Sequence, residues 1–271
     1  MSSPIITLTT DFGDKDPFVG IMKGVILTIN PRAVIIEINH EIAPQDVRGG
    51  AFTIFNSYRY FPKGTIHVVV IDPGVGSVRR PIAVKTSDYI FVGPDNGVIS
   101  WAIIENAPFV AHEIKNKDYM LKEVSTTFHG RDIFAPTAAH LSLQFKEFDE
   151  YSFWESLGHE VKSPVLIPFP ESKTIGYEII GEILQIDRFG NLITNIRPKM
   201  SIKYFQVVIR GIDKIKIDGL SKTYDDANDG DLILLVGSTN FLEIAKVGGN
   251  AAKGLEAKVG DEVRVVFKAN C

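Results

Sequence analysis

Residues 1–145 alternate short apolar runs with stretches whose apolar residues recur at helical spacing. The predicted strands are residues 5–9, 33–38, 65–71, 82–86 and 89–92. The predicted helices cover residues 17–29, 45–60, 97–104 and 132–145, the first capped by Asp16 and burying Phe18, Met22, Val25, Ile26 and Ile29. The nearly continuous apolar runs at 33–38 and 65–71 are typical of strands buried on both faces of a sheet. Strand, helix and strand in repetition predict a three-layer α/β domain with a largely parallel sheet.

A proline-rich stretch separates this half from a second pattern. Residues 162–173, KSPVLIPFPESK, contain three prolines and favour an extended connection. We therefore predict an N-terminal catalytic domain over residues 1–165 and a C-terminal domain over residues 174–271. Beyond this boundary short apolar runs alternate with Gly, Asp and Asn turns, and they are YEIIGEILQI, LITNI, VVIRGI, IKID, LILLV, FLEIA and EVRVVF. This pattern predicts a smaller, all-β, barrel-like domain.

Composition narrows the class of protein. The 271 residues are 45% apolar and 23% charged, as in globular proteins. The net charge is -4 and the basic residues are scattered, so we expect no nucleic-acid partner. The one cysteine, Cys271, builds neither an internal disulfide nor a thiolate metal site, which fits a reducing cytoplasm. The first residues lack a signal-peptide pattern and no apolar run reaches the roughly 18 residues of a membrane span, so we expect a cytoplasmic protein without a membrane partner.

Two acidic residues follow predicted strands. Asp11 lies in TTDFGDKD, and Asp72 opens the loop IDPGVGSVRR, whose two glycines turn the chain and bring Arg79 near it. Because open α/β sheets bind ligands at the carboxyl ends of their strands, Asp11 is suited to bind the two hydroxyls of a ribose. The alternatives are an acidic turn at Asp11 and a surface ion pair of Asp72 with Arg79, worth at most about 1 kcal/mol.

Two further loops carry groups suited to binding or catalysis. His129 lies in STTFHGRDIF between an aromatic residue and a glycine, where an imidazole can face a cavity; the alternative is a surface histidine. The turn IDRFGN groups Asp187, Phe189 and Asn191, which are suited to stack on a purine and hydrogen-bond to it; the alternative is an ordinary Asx turn. The segments GSTNFLEIA and GGNAAKG are two more polar loops.

Five segments together resemble one family. TTDFG, IDPGVGSVRR, STTFHGRDIFAP, IDRFGN and GGNAA, in this order, resemble the S-adenosylmethionine hydroxide adenosyltransferases, relatives of the nucleophilic fluorinases and chlorinases. The resemblance spans nearly the whole chain and implies an α/β domain followed by an all-β domain. It also implies that water displaces L-methionine from the 5′ carbon of S-adenosyl-L-methionine, or of its (R)-sulfonium epimer, and releases adenosine. No metal or organic cofactor is implied, and the implied assembly is a homotrimer with its sites at subunit interfaces.

The resemblance also implies roles for individual residues. Asp72, Arg79 and His129 match a triad that holds the nucleophile, with Arg79 fixing Asp72 and Asp72 orienting His129 or the water directly. The positions that match substrate contacts are Asp11 for the ribose hydroxyls, Phe128, and, for the adenine and methionine ends, Asp187, Phe189, Asn191, Ser238, Glu243 and Ala251. The halogenating relatives carry less charged residues at the positions of Asp72 and His129 and a small hydroxyl at that of Gly130. The resemblance therefore implies water rather than halide as the nucleophile.

Two other functions remain open on the residues alone. A metal-dependent phosphoesterase could use an oxygen and nitrogen ligand set, which would comprise Asp11, Asp14, Asp72, His129 and Asp132. A non-catalytic nucleoside-binding module would use the purine and ribose groups but has no use for Asp72, Arg79 and His129 together.

Overall fold

The structure is a computed structural model that describes residues 3–143, 151–198, 205–209, 212–217 and 219–267. The chain divides into two compact units, residues 1–168 and 169–271, each with its own apolar core. No helix within these described ranges is both long and apolar enough to cross a bilayer. Parts of the predictions lie outside the described residues, namely 144–145, 210–211, 218 and Cys271.

A six-stranded sheet forms the centre of the first unit. Its strands are β1 (Ile5–Thr10), β2 (Val34–Asn39), β3 (Ile66–Val70), β4 (Pro81–Lys85), β5 (Ile90–Pro94) and β6 (Val110–Glu113). In the order β2-β1-β3-β5-β4-β6, the first four strands run parallel, and β4 lies antiparallel to both β5 and β6. The predicted, largely parallel sheet is confirmed, whereas β6 was missed because four residues are too short to show a pattern.

Helices cover both faces of this sheet. They are α1 (Phe18–Ile29), α2 (Val47–Ser57), α3 (Ser100–Glu105), α4 (Ala135–Leu143) and α5 (Tyr151–Leu157). On one face Met22 and Ile26 of α1 pack with Ala138 of α4, and on the other Ile54 of α2 packs with Ala102 of α3. The three-layer α/β architecture is therefore confirmed.

Three details of the sequence-based prediction were wrong. The run at 33–38 is not buried on both faces, because β2 is an edge strand and Val34 is 43% exposed. Helix α1 begins at Phe18 with Pro17 as its N-cap, and Asp16 is exposed instead of capping it. Phe18 is also 40% exposed rather than part of the core. An apolar run does not reveal whether a strand lies at the centre or the edge of a sheet.

The second unit is a curled antiparallel sheet. Its strands are β7 (Lys173–Ile175), β8 (Glu178–Ile186), β9 (Leu192–Thr194), β10 (Phe205–Ile209), β11 (Ile212–Ile217), β12 (Leu232–Val236), β13 (Leu242–Lys246) and β14 (Glu262–Phe267). Their order is β11-β10-β14-β8-β9-β13-β12, with β7 on β8. The long β8 pairs with β14 and with β9, and its register shifts between Ile183 and Gln185, where an irregularity bends a strand. The barrel-like prediction is confirmed, and one short helix, α6 (Ala251–Leu255), was not predicted.

Candidate functional site

A cavity of about 360 Å³ opens at the carboxyl ends of β1 and β3. Asp11 directly follows β1, and Asp72 follows β3 by two residues. Because the two strands are parallel neighbours, both carboxylates emerge at the same edge of the sheet. The residues that line the cavity are Asp11, Phe12, Phe18, Pro44, Gln45, Val70, Asp72, Pro73, Val75, Thr127, Phe128, His129 and Gly130.

Arg79 joins two of the lining residues, Asp72 and His129. Its Nε donates to Asp72 Oδ1 at 2.9 Å, and its Nη2 donates to Asp72 Oδ2 and, at 2.7 Å, to His129 Nδ1. The side chains of Asp72 and Arg79 are 5% and 9% exposed, and the guanidinium lies over the Phe134 ring at 5.3 Å. The expected bond between Arg79 and Asp72 is thus present. Arg79, rather than Asp72, orients the histidine ring.

This arrangement determines the protonation of His129. A guanidinium only donates hydrogen bonds, so Nδ1 must accept, and the proton of the neutral ring is then on Nε2. Burial lowers the pKa of His129, and Arg79 lowers it further, whereas Asp72 and Asp132 raise it. The ring is therefore neutral at pH 7 and offers Nε2–H as a donor. A donor is suited to hold the oxygen of a water molecule rather than to take its proton.

Asp11 is held by a residue that sequence reasoning missed. The backbone N–H of Gln45 donates to Asp11 Oδ2 at 2.7 Å, and Gln45 also lines the cavity. Gln45 has φ of 67°, a left-handed conformation that is uncommon outside glycine. Sequence offered no signal for it, because the partner of Asp11 is 34 residues away.

One wall of the cavity is aromatic. The Phe128 ring lies 5.8 Å from the Phe12 ring and 5.1 Å from the Phe18 ring, both in edge-to-face geometry. Phe128 itself is buried, and its candidate role as a substrate contact remains a prediction. Phe12 and Phe18 were not predicted for the site, because an aromatic residue near a strand end or at the start of a helix more often belongs to the core.

Four of the five residues considered as metal ligands, Asp11, Asp72, His129 and Asp132, have side chains bonded to other groups. The buried Asp132 accepts hydrogen bonds from Ser125 and Arg131, and Asp14 is exposed, with its backbone N–H bonded to Glu41. Among the described residues no group of three or more His, Cys, Asp or Glu side chains is arranged to hold a metal ion.

A second cavity, of about 720 Å³, lies within the second unit and includes the IDRFGN turn. The Asp187 carboxylate accepts from the backbone N–H groups of Phe189 and Asn191, each at 2.9 Å, and from Asn191 Nδ2 at 3.0 Å. The turn is therefore an Asx turn, and it also places its residues at a cavity. Phe189 is 74% exposed, so its ring is available for stacking. Gly190 has φ of 89°, and a β-carbon there would overlap the side chain of Asn250.

The other three candidates of this unit lie in different surroundings. Glu243 is buried, and the O–H of Tyr224, which lines the cavity, donates to Glu243 Oε1 at 2.6 Å. Burial raises the pKa of Glu243, against the lowering effect of the Tyr224 bond. Ser238 is exposed in the turn after β12, and the buried Ala251 opens α6. Neither Ser238 nor Ala251 belongs to the described lining of this cavity. Tyr224 does belong to it, and sequence reasoning missed this residue.

Comparisons with known proteins cover almost all of the chain. The "(R)-S-adenosyl-L-methionine hydrolase" of Methanocaldococcus jannaschii is 36% identical to it over 97% of this chain and 96% of its own. A "Fluorinase" of Actinoplanes sp. is 28% identical over 97% of each chain. The crystal structure of an uncharacterized conserved protein from Thermotoga maritima matches with a TM-score of 0.88 and 36% identity, over 96% of this chain and 99% of that one.

Family models match both units. The model of the SAM hydroxide adenosyltransferase N-terminal domain matches residues 6–151, and that of the C-terminal domain matches residues 181–264. The first match contains the bridge from Asp72 through Arg79 to His129, and the second contains the IDRFGN turn. Sequence, fold and comparisons agree, and the chain belongs to the SAM hydroxide adenosyltransferase family.

Proposed function

We propose that the protein hydrolyses S-adenosyl-L-methionine, and in particular its (R)-sulfonium epimer, to adenosine and L-methionine. The observation that carries the proposal is the bridge of Asp72, Arg79 and His129 at a cavity that also contains Asp11. The name and the nearly full coverage of the hydrolase relative support it. That relative, at 36% identity, is also nearer in sequence than the fluorinase, at 28%. The comparisons do not favour a phosphoesterase.

The proposed reaction is an in-line displacement at the 5′ carbon of the ribose. The water oxygen forms a bond to this carbon, the carbon–sulfur bond breaks, and its electron pair stays on sulfur to give neutral methionine. His129 Nε2–H donates to the water oxygen, and the Asp72 carboxylate accepts the proton that the water loses. The sulfonium leaves without protonation, so aiming the water is the main task. Positioning of this kind supplies on the order of 7–11 kcal/mol, and a base adds about 10²–10⁴-fold.

The predicted residues outside the bridge of Asp72, Arg79 and His129 bind the substrate. Asp11 binds the two ribose hydroxyls as an acceptor, and its orientation by the Gln45 N–H supports this role. Phe128 contributes an apolar contact. The predicted contacts to the adenine and methionine ends are Asp187, Phe189, Asn191, Ser238, Glu243 and Ala251.

The assembly and location are also proposed. A homotrimer would form each site from the first unit of one subunit and the second unit of another, as the family resemblance implies. Co-expression of Asp72→Ala with Asn191→Ala chains tests this, because random mixing unites two intact halves in roughly one site in four. Recovery of activity supports shared sites, and its absence in a mixed trimer opposes them. We expect the cytoplasm as the location, since one cysteine builds no internal disulfide.

The test of the activity uses the two epimers of S-adenosyl-L-methionine separately. Purified protein is incubated with each in the presence of a chelator, and adenosine and methionine are followed by chromatography. We expect equal amounts of both products, with faster turnover of the (R) epimer. Asp72→Ala should lower kcat more than it raises KM, whereas Asp11→Ala should raise KM as well. Tight binding of adenosine without product from either epimer would instead support a nucleoside-binding module.

A further inference from the structure

We propose that Asp132 is a positioning residue that fastens the loop carrying His129 and so holds the imidazole against Arg79. The loop runs from Ser125 to Asp132, and Asp132 does not itself belong to the described lining of the cavity. The inference rests on the proposed function only for the part that His129 plays in the chemistry. The structural tether can be tested without any turnover.

The Asp132 carboxylate closes the loop at both ends. It is fully buried, and its Oδ2 accepts from Ser125 N at 2.8 Å and from Ser125 Oγ at 2.6 Å. Its Oδ1 accepts from Arg131 Nε at 2.5 Å. Burial by itself would raise the pKa of Asp132, but the bonds from Arg131 and Ser125 hold it below its usual value. A buried carboxylate with several donors stays charged and is costly to disturb.

The tether reaches His129 through its neighbours in the loop. Ser125 Oγ accepts from the N–H of Phe128 at 3.1 Å, and the N–H of Asp132 donates to the Phe128 carbonyl at 3.1 Å. These bonds hold the residue before His129 from both directions. The side chain of His129 is thereby presented to Arg79.

Three charged groups act on the imidazole. Burial lowers the pKa of His129 most. Arg79 lowers this pKa further, whereas Asp72 and Asp132 raise it. Asp72 lines the cavity and bonds to Arg79, so its charge cannot be removed without disturbing the proposed chemistry. Asp132 acts on His129 from outside the cavity. Its neutralisation therefore changes the loop and the charge without removing a side chain of the described cavity lining.

The decisive variant is Asp132→Asn, studied by NMR titration of the His129 ring and by kcat and KM across pH. We expect His129 to titrate at a lower pH than in the unaltered protein. Since a displaced catalytic group slows the reaction more than it weakens binding, kcat should fall about tenfold to a hundredfold, with KM changed less than about threefold. His129→Ala identifies the resonance.

Asp95→Asn is the matched control. Asp95 is also buried, accepts from Arg80 Nε at 2.7 Å and from Val165 N at 2.7 Å, and lies outside the described lining of the cavity. Its substitution should lower stability to a similar degree but leave the titration of His129 and kcat unchanged. Either of two results would overturn the proposal. One is that His129 titrates at the same pH in Asp132→Asn as in the unaltered protein, and the other is that Asp132→Asn and Asp95→Asn lose the same share of kcat.

A second variant keeps the proposal testable if Asp132→Asn fails to fold. Ser125→Ala removes the 2.6 Å bond to Asp132 and the 3.1 Å bond to Phe128, and it keeps the backbone bond and the charge of Asp132. We expect kcat to fall with little change in KM, and an unchanged kcat would contradict the tether. If the unaltered protein turns over neither epimer, the proposed function fails, and the NMR comparison of Asp132→Asn with Asp95→Asn still decides the positioning role.

Discussion

Arg79 can only donate hydrogen bonds, so both of its neighbours, Asp72 and His129, must accept from it. Its Nε and Nη2 both donate to the carboxylate of Asp72, and Nη2 also donates to His129 Nδ1. The residue types and their order were readable from the sequence. The bridge was not, because Arg79 and His129 are 50 residues apart and meet only when two loops fold together.

Replacement of Arg79 by lysine tests the bridge. An ammonium keeps the positive charge but cannot bond to Asp72 through two nitrogens in a fixed plane while also reaching His129. We expect Arg79→Lys to lower kcat about a hundredfold, the scale of a misplaced catalytic group, with a smaller effect on KM. Steady-state kinetics with the (R) epimer measures this. A kcat within about twofold of the unaltered enzyme would show that charge alone suffices.

The neutral imidazole predicts an acid limit to activity. Protonation would place a cation against Arg79 and remove the acceptor at Nδ1, so kcat should fall as pH drops through the pKa of His129. Burial and Arg79 lower this pKa, so the fall should begin below the ordinary histidine value of about 6.5. The pH profile of kcat measures it. His129→Gln, which does not titrate, should be slower and lack this acid limb.

At the scale of the elements, the site forms only where the loop after β3, which carries Asp72, meets the loop that carries His129. Gly76, in the loop after β3, has φ of 75°, and a β-carbon there would lie 2.3 Å from the carbonyl oxygen of Thr126. The loop of Asp72 and the loop of His129 therefore touch through backbone. Sequence indicates that Gly76 belongs to a turn, but not which backbone it approaches.

Gly76→Ala should separate these loops. We expect kcat to fall about tenfold and the melting temperature to drop, because the carbonyl of Thr126 must move and φ is strained by about 1 kcal/mol. Gly260→Ala is the control, since Gly260 has φ of 86° and, its chain neighbours apart, no atom of the described residues lies within 4 Å of the point that a β-carbon would occupy. Calorimetry and kinetics on both variants separate strain from contact. Equal effects on kcat would rule out the role of the contact.

At the scale of the whole molecule, buried histidines make stability depend on pH. His67 is fully buried on β3, its Nδ1 bonded to Thr7 Oγ1 at 2.7 Å and its ring stacked on Phe91 at 5.2 Å. Burial lowers the pKa of His67 to about 3. The folded protein keeps this ring neutral, whereas the unfolded chain binds a proton below about pH 6.5. Stability is thus lost as pH falls from about 6.5 towards 3.

Chemical unfolding at several pH values tests this linkage. At about pH 5 the contribution of His67 should lower the free energy of unfolding by about 2 kcal/mol relative to neutral pH, since each pH unit corresponds to about 1.4 kcal/mol. His67→Phe should be less stable at neutral pH, because Thr7 loses its partner, but its stability should decline less on acidification. An unchanged slope would show that His67 is protonated in the folded protein or does not dominate.

The sequence by itself determined which segments form strands and helices, the change from α/β to all-β, and the residue types in the family's motifs. These follow from local periodicity, turn residues and order along the chain. Only the tertiary structure decided that β2 is an edge strand, that Gln45 holds Asp11, that Arg79 bridges two loops and that Asp132 closes one of them. Hydrogen-bond partners and burial depend on contacts between distant segments, and local patterns do not encode these contacts.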